Sequence, residues 1–489
     1  MRLWKRGTKY LSKADKTKVI VRCVGPSATN VTGSSYLVEC PTGEKILLDH
    51  GMFQSCSCIE TYRVNKKTYD FKPKEITAVI VSHAHLDHQG LIPRLYKEGF
   101  RGTTYISNES IRFCKPMFED SVKIFERETA SYERKYKKQC SLVYDLNDVE
   151  LALEHFEGVE NYEPIYISEN VWFKYINSYH IWGSRQILLY VKKPNGQTIK
   201  IAFTGDLGNT IFEQPFVRKL DEIDKCNLLI GEATYNTPEK SCKKYQRNVD
   251  IEILKSTIQE TCVEKKGNLL IPAFALQRVE TILYYLWMTY KDDENFKIPV
   301  ILDSPLGLKL LEDGYMNMLS LEWLDILKEM LSWKNLKIIR DYEESFACVQ
   351  DDTPKIIIAS SGMASQGRCL LHLQKILPNP NNTILTCGYM ADGTIGAKIV
   401  SGQKTITIDS KTYPNRCKLE TLKSFSGHMQ YEQLLDYYTK ISENGCMAIW
   451  IVHSNSKKEE FANALRNRIR DIFKTTKVIS TKEDTSIEL

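Results

Sequence analysis

The stretch Ser82-His-Ala-His-Leu-Asp-His-Gln-Gly90 packs three imidazoles and a carboxylate, His83, His85, Asp87 and His88, into six positions. Nitrogen and carboxylate-oxygen donors at this density suit zinc or a similar borderline divalent ion. They follow Ile76-Thr-Ala-Val-Ile-Val-Ser82, an apolar run rich in β-branched residues that reads as a buried strand. At the mouth of such a strand His83 and His85 can face one point while Asp87 and His88 face a second. Two ligand groups fed from one loop predict two metal ions bridged by a water or hydroxide. A His-rich surface loop without metal is the plain alternative, and the close spacing of the donors speaks against it.

The other donors lie where further extended runs end. His180 follows Val171–Tyr179, Asp206 closes the run Ile199–Phe203 within Thr204-Gly-Asp-Leu-Gly208, and His453 ends Met447–Val452. Each alone has an ordinary reading: a strand-end aspartate forms turns, and a single histidine is usually a hydrogen-bonded structural residue. Together they supply a third nitrogen for each ion and a carboxylate to bridge the two. Asp49, in Leu47-Leu-Asp-His-Gly51, is expected to sit behind the ligands as an acceptor that orients one of them or the shared water. His50 is left out, because neighbouring residues on a strand face opposite ways.

The elements that must position these residues are legible in outline. Tyr36–Cys40 and Lys45–Asp49 read as a hairpin around Pro-Thr-Gly, and Ile187–Val191 with Ile199–Phe203 as another around Pro-Asn-Gly. Helix-prone polar stretches run over 109–138 and 146–156. Beyond residue 212 the strands 228–231, 268–271, 300–302 and 355–360 alternate with helical segments at 247–265, 277–290 and 308–332, the mark of a mostly parallel sheet with helices on its faces. The run 447–452 and a helix over 457–473 follow. There are no repeats, low-complexity segments or obvious linkers, so the domains are expected to be interleaved.

Composition is that of a globular chain: 489 residues, 42 % hydrophobic and 26 % charged, enough for two or three domains. A net charge of +5 announces no global nucleic-acid binder. Residues 1–18 are nonetheless basic, with Arg2, Lys5, Arg6, Lys9, Lys13, Lys16 and Lys18 against Asp15, an arm that suits phosphates and equally a solvated terminus. No apolar stretch makes it a signal peptide, and no run has the length of a membrane span. The fourteen cysteines include no C-x-x-C pair, and Cys56 and Cys58 alone do not make a zinc site. Reduced thiols in a cytoplasmic protein are expected.

Taken in order, Asp49, His83-x-His85-x-Asp87-His88, His180 and Asp206 resemble the motifs of the metallo-β-lactamase hydrolase superfamily. Glu232 in Gly-Glu-Ala-Thr-Tyr235, His428 in Phe425-Ser-Gly-His-Met429 and His453 in Ile451-Val-His-Ser454 are similar to motifs A, B and C of the β-CASP nucleases. Asp49-x-Gly-Met-Phe-Gln54, Ile271-Pro-Ala-Phe-Ala275, Leu302-Asp-Ser-Pro305 and Ser361-Gly-Met363 with Gly367-Arg368 support the resemblance, which covers about residues 18 to 470 and looks like the bacterial and archaeal relatives of the cleavage and polyadenylation specificity factor nuclease. It implies an α/β fold, an αββα metallo-β-lactamase sandwich (1–211, closed by 403–489) holding an inserted β-CASP α/β domain (212–402) with a parallel sheet flanked by helices.

The resemblance also implies roles. His83, His85 and His180 would hold one zinc, Asp87, His88 and His453 the other, with Asp206 between them. His428 would serve the leaving ribose oxygen with Glu232 hydrogen-bonded to it. Histidine rather than valine at motif C points to RNA over DNA. His453-Ser-Asn455 departs from the family's His-Gly-Glu, which touches the surroundings of the second ion and leaves manganese as its alternative occupant. Ser360, Ser361 and Gly362, at a strand–helix turn, suit a phosphate, and Arg278 and Arg368 are further candidates for RNA contacts. The aromatic run Tyr284-Tyr-Leu-Trp287 has helical spacing and reads as core.

The expected activity is hydrolysis of single-stranded RNA to 3′-hydroxyl and 5′-phosphate ends. The insert would roof the site and leave a slot for an extended strand. The chain shows neither the extra C-terminal domain of ribonuclease J nor the N-terminal KH domains of archaeal homologues, which leans toward endonuclease. A 5′–3′ exoribonuclease, a DNA-directed nuclease and a non-catalytic RNA-binding subunit are the alternatives, and a homodimer is a candidate assembly.

Overall fold

The computed structural model describes residues 2–5, 17–26, 30–55, 57–211, 213–240, 247–318, 320–388, 390, 393–454, 457–470, 476–480 and 485–489. Most of the basic arm (Arg6, Lys9, Lys13, Asp15 and Lys16), Cys56 and Asn455 lie outside the described residues. The chain forms two compact units. The first comprises Met1–Thr210, Val217–Lys243 and His428–Leu489; the second comprises Ile211–Phe216 and Lys244–Gly427.

The first unit is built on two sheets. One, in spatial order, contains Arg2–Lys5, Thr485–Glu488, Ile20–Cys23, Ser35–Glu39, Lys45–His50, Ala78–Ile80, Thr103–Ser107 and Phe156–Val159. The other contains Lys477–Ser480, Ala448–Val452, Leu228–Glu232, Thr198–Phe203, Arg185–Lys192, Val171–Asn177 and Ile165–Tyr166. Both expected hairpins are present, with Leu37 opposite Leu47 and Val191 opposite Ile199.

Several of these strands are apolar almost throughout because both of their faces are covered. Ile187, Leu189, Ile230 and Trp450 fill the space between the sheets, with Tyr36, Val38, Ile46 and Ile80 opposite. Their sequence neighbours Leu188, Leu229, Ile449 and Ile451 turn the other way and meet Leu434, Tyr438, Phe461 and Leu465 of the helices Tyr431–Glu443 and Lys458–Arg470. The long helix Ile111–Tyr136 packs on the first sheet, where Phe118 meets Phe156 edge-on at 5.9 Å. The result is the expected four-layer αββα sandwich.

Strand direction brings the donors to one rim. Lys45–His50 is parallel to Ala78–Ile80, so the chain after His50 and the chain from Val81 to His88 leave the same end. In the second sheet Thr198–Phe203, Leu228–Glu232 and Ala448–Val452 are parallel neighbours, with Phe203 beside Ile230 and Glu232 beside Val452. Val171–Asn177, two antiparallel pairings away from Thr198–Phe203, points the same way and delivers His180.

The second unit holds a six-stranded sheet in which every pairing is parallel, in the order Leu336–Ile338, Val300–Asp303, Ile356–Ala359, Leu269–Pro272, Thr383–Thr386, Lys418–Thr421. The last pairing moves a boundary. Residues 403–427 pack with this unit rather than with the sandwich, because Lys418–Thr421 lies beside Thr383–Thr386. The single helix expected over 308–332 is instead Pro305–Lys309, a π-helical turn Leu310–Tyr315 and Leu321–Leu331. The wider turn lets Leu310, Leu311 and Tyr315 all face inward.

Candidate metal centre

The histidine-rich loop gets its shape from the residues on either side. His85 is extended and starts the short helix Leu86–Gln89, so Asp87 and His88 fall in its opening turn and separate from His83 and His85. Two glycines let the loops touch. A Cβ at Gly208 would stand 1.7 Å from the Tyr179 carbonyl oxygen, and one at Gly51 would stand 1.6 Å from that of Asp87. Any side chain at Gly208 would therefore push the Asp206 loop away from His180.

The donors gather into three groups, each with its ligand atoms within 4.8 Å of one another: His83, His85, His180 and Asp206; Asp87, His88 and His453; Asp206, Glu232 and His428. Asp206 faces both ways. Its Oδ2 lies 3.7 Å from His83 Nε2 and 3.5 Å from His180 Nε2, while its Oδ1 lies 3.2 Å from His88 Nε2 and 3.5 Å from His453 Nδ1. His85 Nδ1 is 3.0 Å from His83 Nε2 and 3.3 Å from His180 Nε2, and His453 Nε2 is 3.4 Å from Asp87 Oδ2.

These residues fit a pair of divalent ions. His85 Nε2 is a buried atom without a hydrogen bond, a costly condition unless something else satisfies it, and His88 Nε2 meets Asp206 Oδ1 as an ion pair at 3.2 Å. The tautomers also suit ligation. His88 Nδ1 donates to Asp49 Oδ2 at 2.6 Å, which leaves the Nε2 lone pair facing inward. Ser82 donates its backbone N–H to Asp49 Oδ1 and its hydroxyl to Asp49 Oδ2. With that proton committed, Ser82 Oγ accepts from His83 Nδ1 at 3.0 Å, so His83 Nε2 also faces inward unprotonated. His50 turns away as expected, to the Ser35 hydroxyl and the Tyr69 hydroxyl.

Charge agrees with this for His83 and His85, whereas His88 has to give up a proton to ligate. Burial holds His83 well below the usual imidazole range and His85 down at about 4, so both keep lone pairs at neutral pH. Burial alone would also depress His88, but the carboxylates of Asp206, Asp87 and Asp49 raise it well above that range. Burial would raise Asp206, and His453, His88 and His428 instead hold it well below the usual carboxylate range. Three carboxylates converge on His88, where a divalent cation would neutralise them.

Glu232 is buried and anchored at both oxygens, Oε1 by the Leu207 N–H at 2.8 Å and Oε2 by the Thr234 N–H at 3.0 Å. Its Oε1 also faces His428 Nδ1 at 3.3 Å. Burial works against a charged His428, but the Glu232 and Asp206 carboxylates raise its pKa. Ser82, Thr234 (whose hydroxyl meets His453 Nδ1 at 3.1 Å) and Tyr438 (whose hydroxyl donates to the Glu232 carbonyl) were not singled out from sequence, since small hydroxyls and a helical tyrosine carry no local signature.

Ser360, Ser361, Gly362, Arg278 and Arg368 belong to the second unit. Ser360–Gly362 and Arg368 share the C-terminal edge of its sheet, with the Cys369 N–H donating to the Ser360 carbonyl. Arg278, at the start of the helix Arg278–Tyr290, is only 8 % exposed. Tyr285 and Trp287 are core residues.

Residues 28–125 match the Metallo-beta-lactamase superfamily, residues 279–399 the Beta-Casp domain and residues 412–477 the Zn-dependent metallo-hydrolase RNA specificity domain. Among curated proteins, the chain is 30 % identical over 443 residues to Ribonuclease TTHA0252 of Thermus thermophilus, covering 88 % of this chain and 92 % of that one. It is 31 % identical over 398 residues to an RNase J-like protein of Methanocaldococcus jannaschii, with 81 % and 84 % covered. It is 24 % identical over 468 residues to Endoribonuclease ysh1 of Schizosaccharomyces pombe, covering 93 % of this chain and 57 % of that one.

Proposed function

Because the chain belongs to the β-CASP family of metallo-β-lactamase-fold RNA-processing nucleases, we propose that this metal-dependent hydrolase is a zinc ribonuclease that cuts single-stranded RNA internally. The observation that carries the reading is the Asp206 carboxylate, with one oxygen toward His83 and His180 and the other toward His88 and His453. His83, His85 and His180 would hold one ion, Asp87, His88 and His453 the second, and Asp206 both. Zinc is favoured by the imidazole-rich donor set, and manganese is the alternative at the second position.

Bound there, two such ions would bring the pKa of a water toward neutrality and screen the charge of the phosphodiester. The residues do the rest. Asp49 fixes His88 in the tautomer that ligates, and Ser82 does the same for His83. His428, hydrogen-bonded to Glu232, would donate a proton to the departing ribose oxygen, so the products would carry 3′-hydroxyl and 5′-phosphate ends. His453 at the RNA-directed position, with the match to an RNA specificity domain, favours RNA over DNA. Ser360, Ser361, Gly362, Arg278 and Arg368 are proposed contacts to the RNA backbone, with Gly362 and Arg278 the buried ones. Among the described residues no helix is long and apolar enough to cross a membrane. The described cysteines are free thiols, which suits a cytoplasmic setting.

The test is a cleavage assay of metal-loaded protein on internally labelled single-stranded RNA and DNA of one sequence, with Asp87→Ala and Asp206→Ala alongside and metal content measured in each. Internal RNA fragments that vanish in both variants, with metal lost, support the reading. Stepwise shortening from one end replaces internal cutting with exonuclease action. Cleavage of DNA alone overturns the choice of RNA, and no cleavage by a fully metallated wild type leaves an RNA-binding subunit.

A further inference from the structure

Four parallel strands of the second unit, in the order Leu269–Pro272, Ile356–Ala359, Val300–Asp303, Leu336–Ile338, end at one edge of the sheet. Each hands over a different group there. The first leads to Phe274, the second to Ser360–Gly362, the third ends in Asp303, and the fourth leads to Tyr342 at the start of the helix Tyr342–Gln350. The C-terminal edge of a parallel sheet is where open α/β folds take their ligands.

At the centre of this edge three buried polar atoms make no hydrogen bond, one of them Asp303 Oδ1. The others are Ser361 Oγ and Arg368 Nη1. Arg368 lies in the first turn of the helix Gly367–Ile376, whose leading residue Gln366 provides no side-chain cap. A hydroxyl, a guanidinium and a helix N-terminus that converge in this way call for an anion with several acceptor oxygens.

The guanidinium is held in place from behind. Asp303 is fully buried, and its Oδ2 accepts from the Ser345 hydroxyl at 2.5 Å and from His372 Nε2 at 2.7 Å. Its Oδ1 remains 3.9 Å from Arg368 Nε. Arg368 and His372 are four residues apart on one helix face, so both reach the same carboxylate.

Two aromatic rings border this subsite, one on each side. Gly362 is pressed against Phe274, since a Cβ there would fall 2.6 Å from Phe274 Cδ2. The Arg368 guanidinium carbon lies 5.1 Å from the centre of the Tyr342 ring. Phe274 is 39 % exposed and Tyr342 60 % exposed. A cationic backbone contact with flat aromatic faces beside it is how sequence-tolerant binding of unpaired nucleic acid is built.

We propose that Phe274 and Tyr342 stack RNA bases on either side of a phosphate held by Ser361, Arg368 and the start of the helix Gly367–Ile376. The inference rests on the ribonuclease reading above and names where an unpaired stretch of the substrate is gripped. Stacking needs an exposed ring and a free base, and this edge offers the rings without selecting among bases.

The test measures KM and kcat of the metal-loaded protein on a single-stranded RNA, and on the same RNA with abasic nucleotides at all positions but the cleaved pair, over a range of salt. Phe274→Leu and Tyr342→Leu are each expected to raise KM about five- to tenfold on the normal RNA. They should leave the salt dependence unchanged and lose their effect on the abasic RNA. Arg368→Ala should raise KM on both RNAs and reduce the slope of log KM against log salt by about 0.7. Unchanged KM in both aromatic variants, or an equal defect on abasic RNA, overturns the stacking role. A wild type that cuts neither RNA overturns the ribonuclease reading itself, a result distinct from a wild type that cuts RNA with the KM of its variants.

Discussion

Asp49 Oδ2 accepts from His88 Nδ1 at 2.6 Å, wholly out of contact with solvent, and the same carboxylate takes both the N–H and the hydroxyl of Ser82. One acid thereby sets the tautomer of two imidazoles, His88 directly and His83 through the serine. Asp49→Asn should keep the fold but place an amide where an acceptor is needed. Metal affinity is expected to fall about 10- to 100-fold, measured by competition with a chromogenic chelator, with activity restored by excess metal. Unchanged affinity would assign Asp49 a purely structural part.

Removal of the His428 imidazole should separate leaving-group chemistry from metal binding. His428→Ala is expected to cost about 10²- to 10⁴-fold in kcat on RNA while metal content stays at the wild-type level. Bis(p-nitrophenyl) phosphate, whose leaving group departs without a proton, should be hydrolysed almost as well by the variant. An equal loss on both substrates would remove His428 from the donor role.

His372 offers a check on the positioning of Arg368. His372→Ala should raise KM for RNA roughly tenfold, and His372→Gln, which keeps a donor for Asp303, should recover most of that. Combined with Arg368→Ala, neither should add a further loss. Additive defects would mean that His372 serves the packing of the second unit alone.

Glu280, fully buried in the helix Arg278–Tyr290, predicts a pH effect of a different kind. Burial pushes its carboxyl up to about 8 against an ordinary value of 4.5, with backbone N–H groups and Arg278 offsetting part of that. Between those two values the unfolded chain releases a proton that the folded chain keeps, so stability falls as pH rises. The loss from pH 5 to pH 7 should be about 2.5 kcal/mol. In urea unfolding Glu280→Gln should lack this part of the pH dependence, and identical slopes for the two proteins would count against it.

Much of the donor cluster could be read from sequence because its residues sit where apolar runs stop, and the stop is visible in one dimension. His83 to His88, His180, Asp206 and His453 are all of this kind. The grip on Asp303 could not be read the same way, since Ser345 and His372 come from different helices with no shared period. The run Tyr284–Trp287 stands out in the sequence and packs largely inside, whereas at the sheet edge Tyr342 is isolated in the sequence and Phe274 is visible only as part of the stretch Ile271–Ala275. The helix over 308–332 looked continuous because a π-helical turn keeps the density of apolar residues while changing their spacing.

Strands Leu228–Glu232 and Ala448–Val452 lie side by side, yet nearly the whole second unit is spelled out between them. During synthesis His83, His85, Asp87, His88, His180 and Asp206 therefore leave the ribosome long before His453 exists. Until the late strand slots in beside the early one, a growing chain has one donor group complete and a gap in another. The donor cluster is therefore completed only when a late-made strand pairs with an early one.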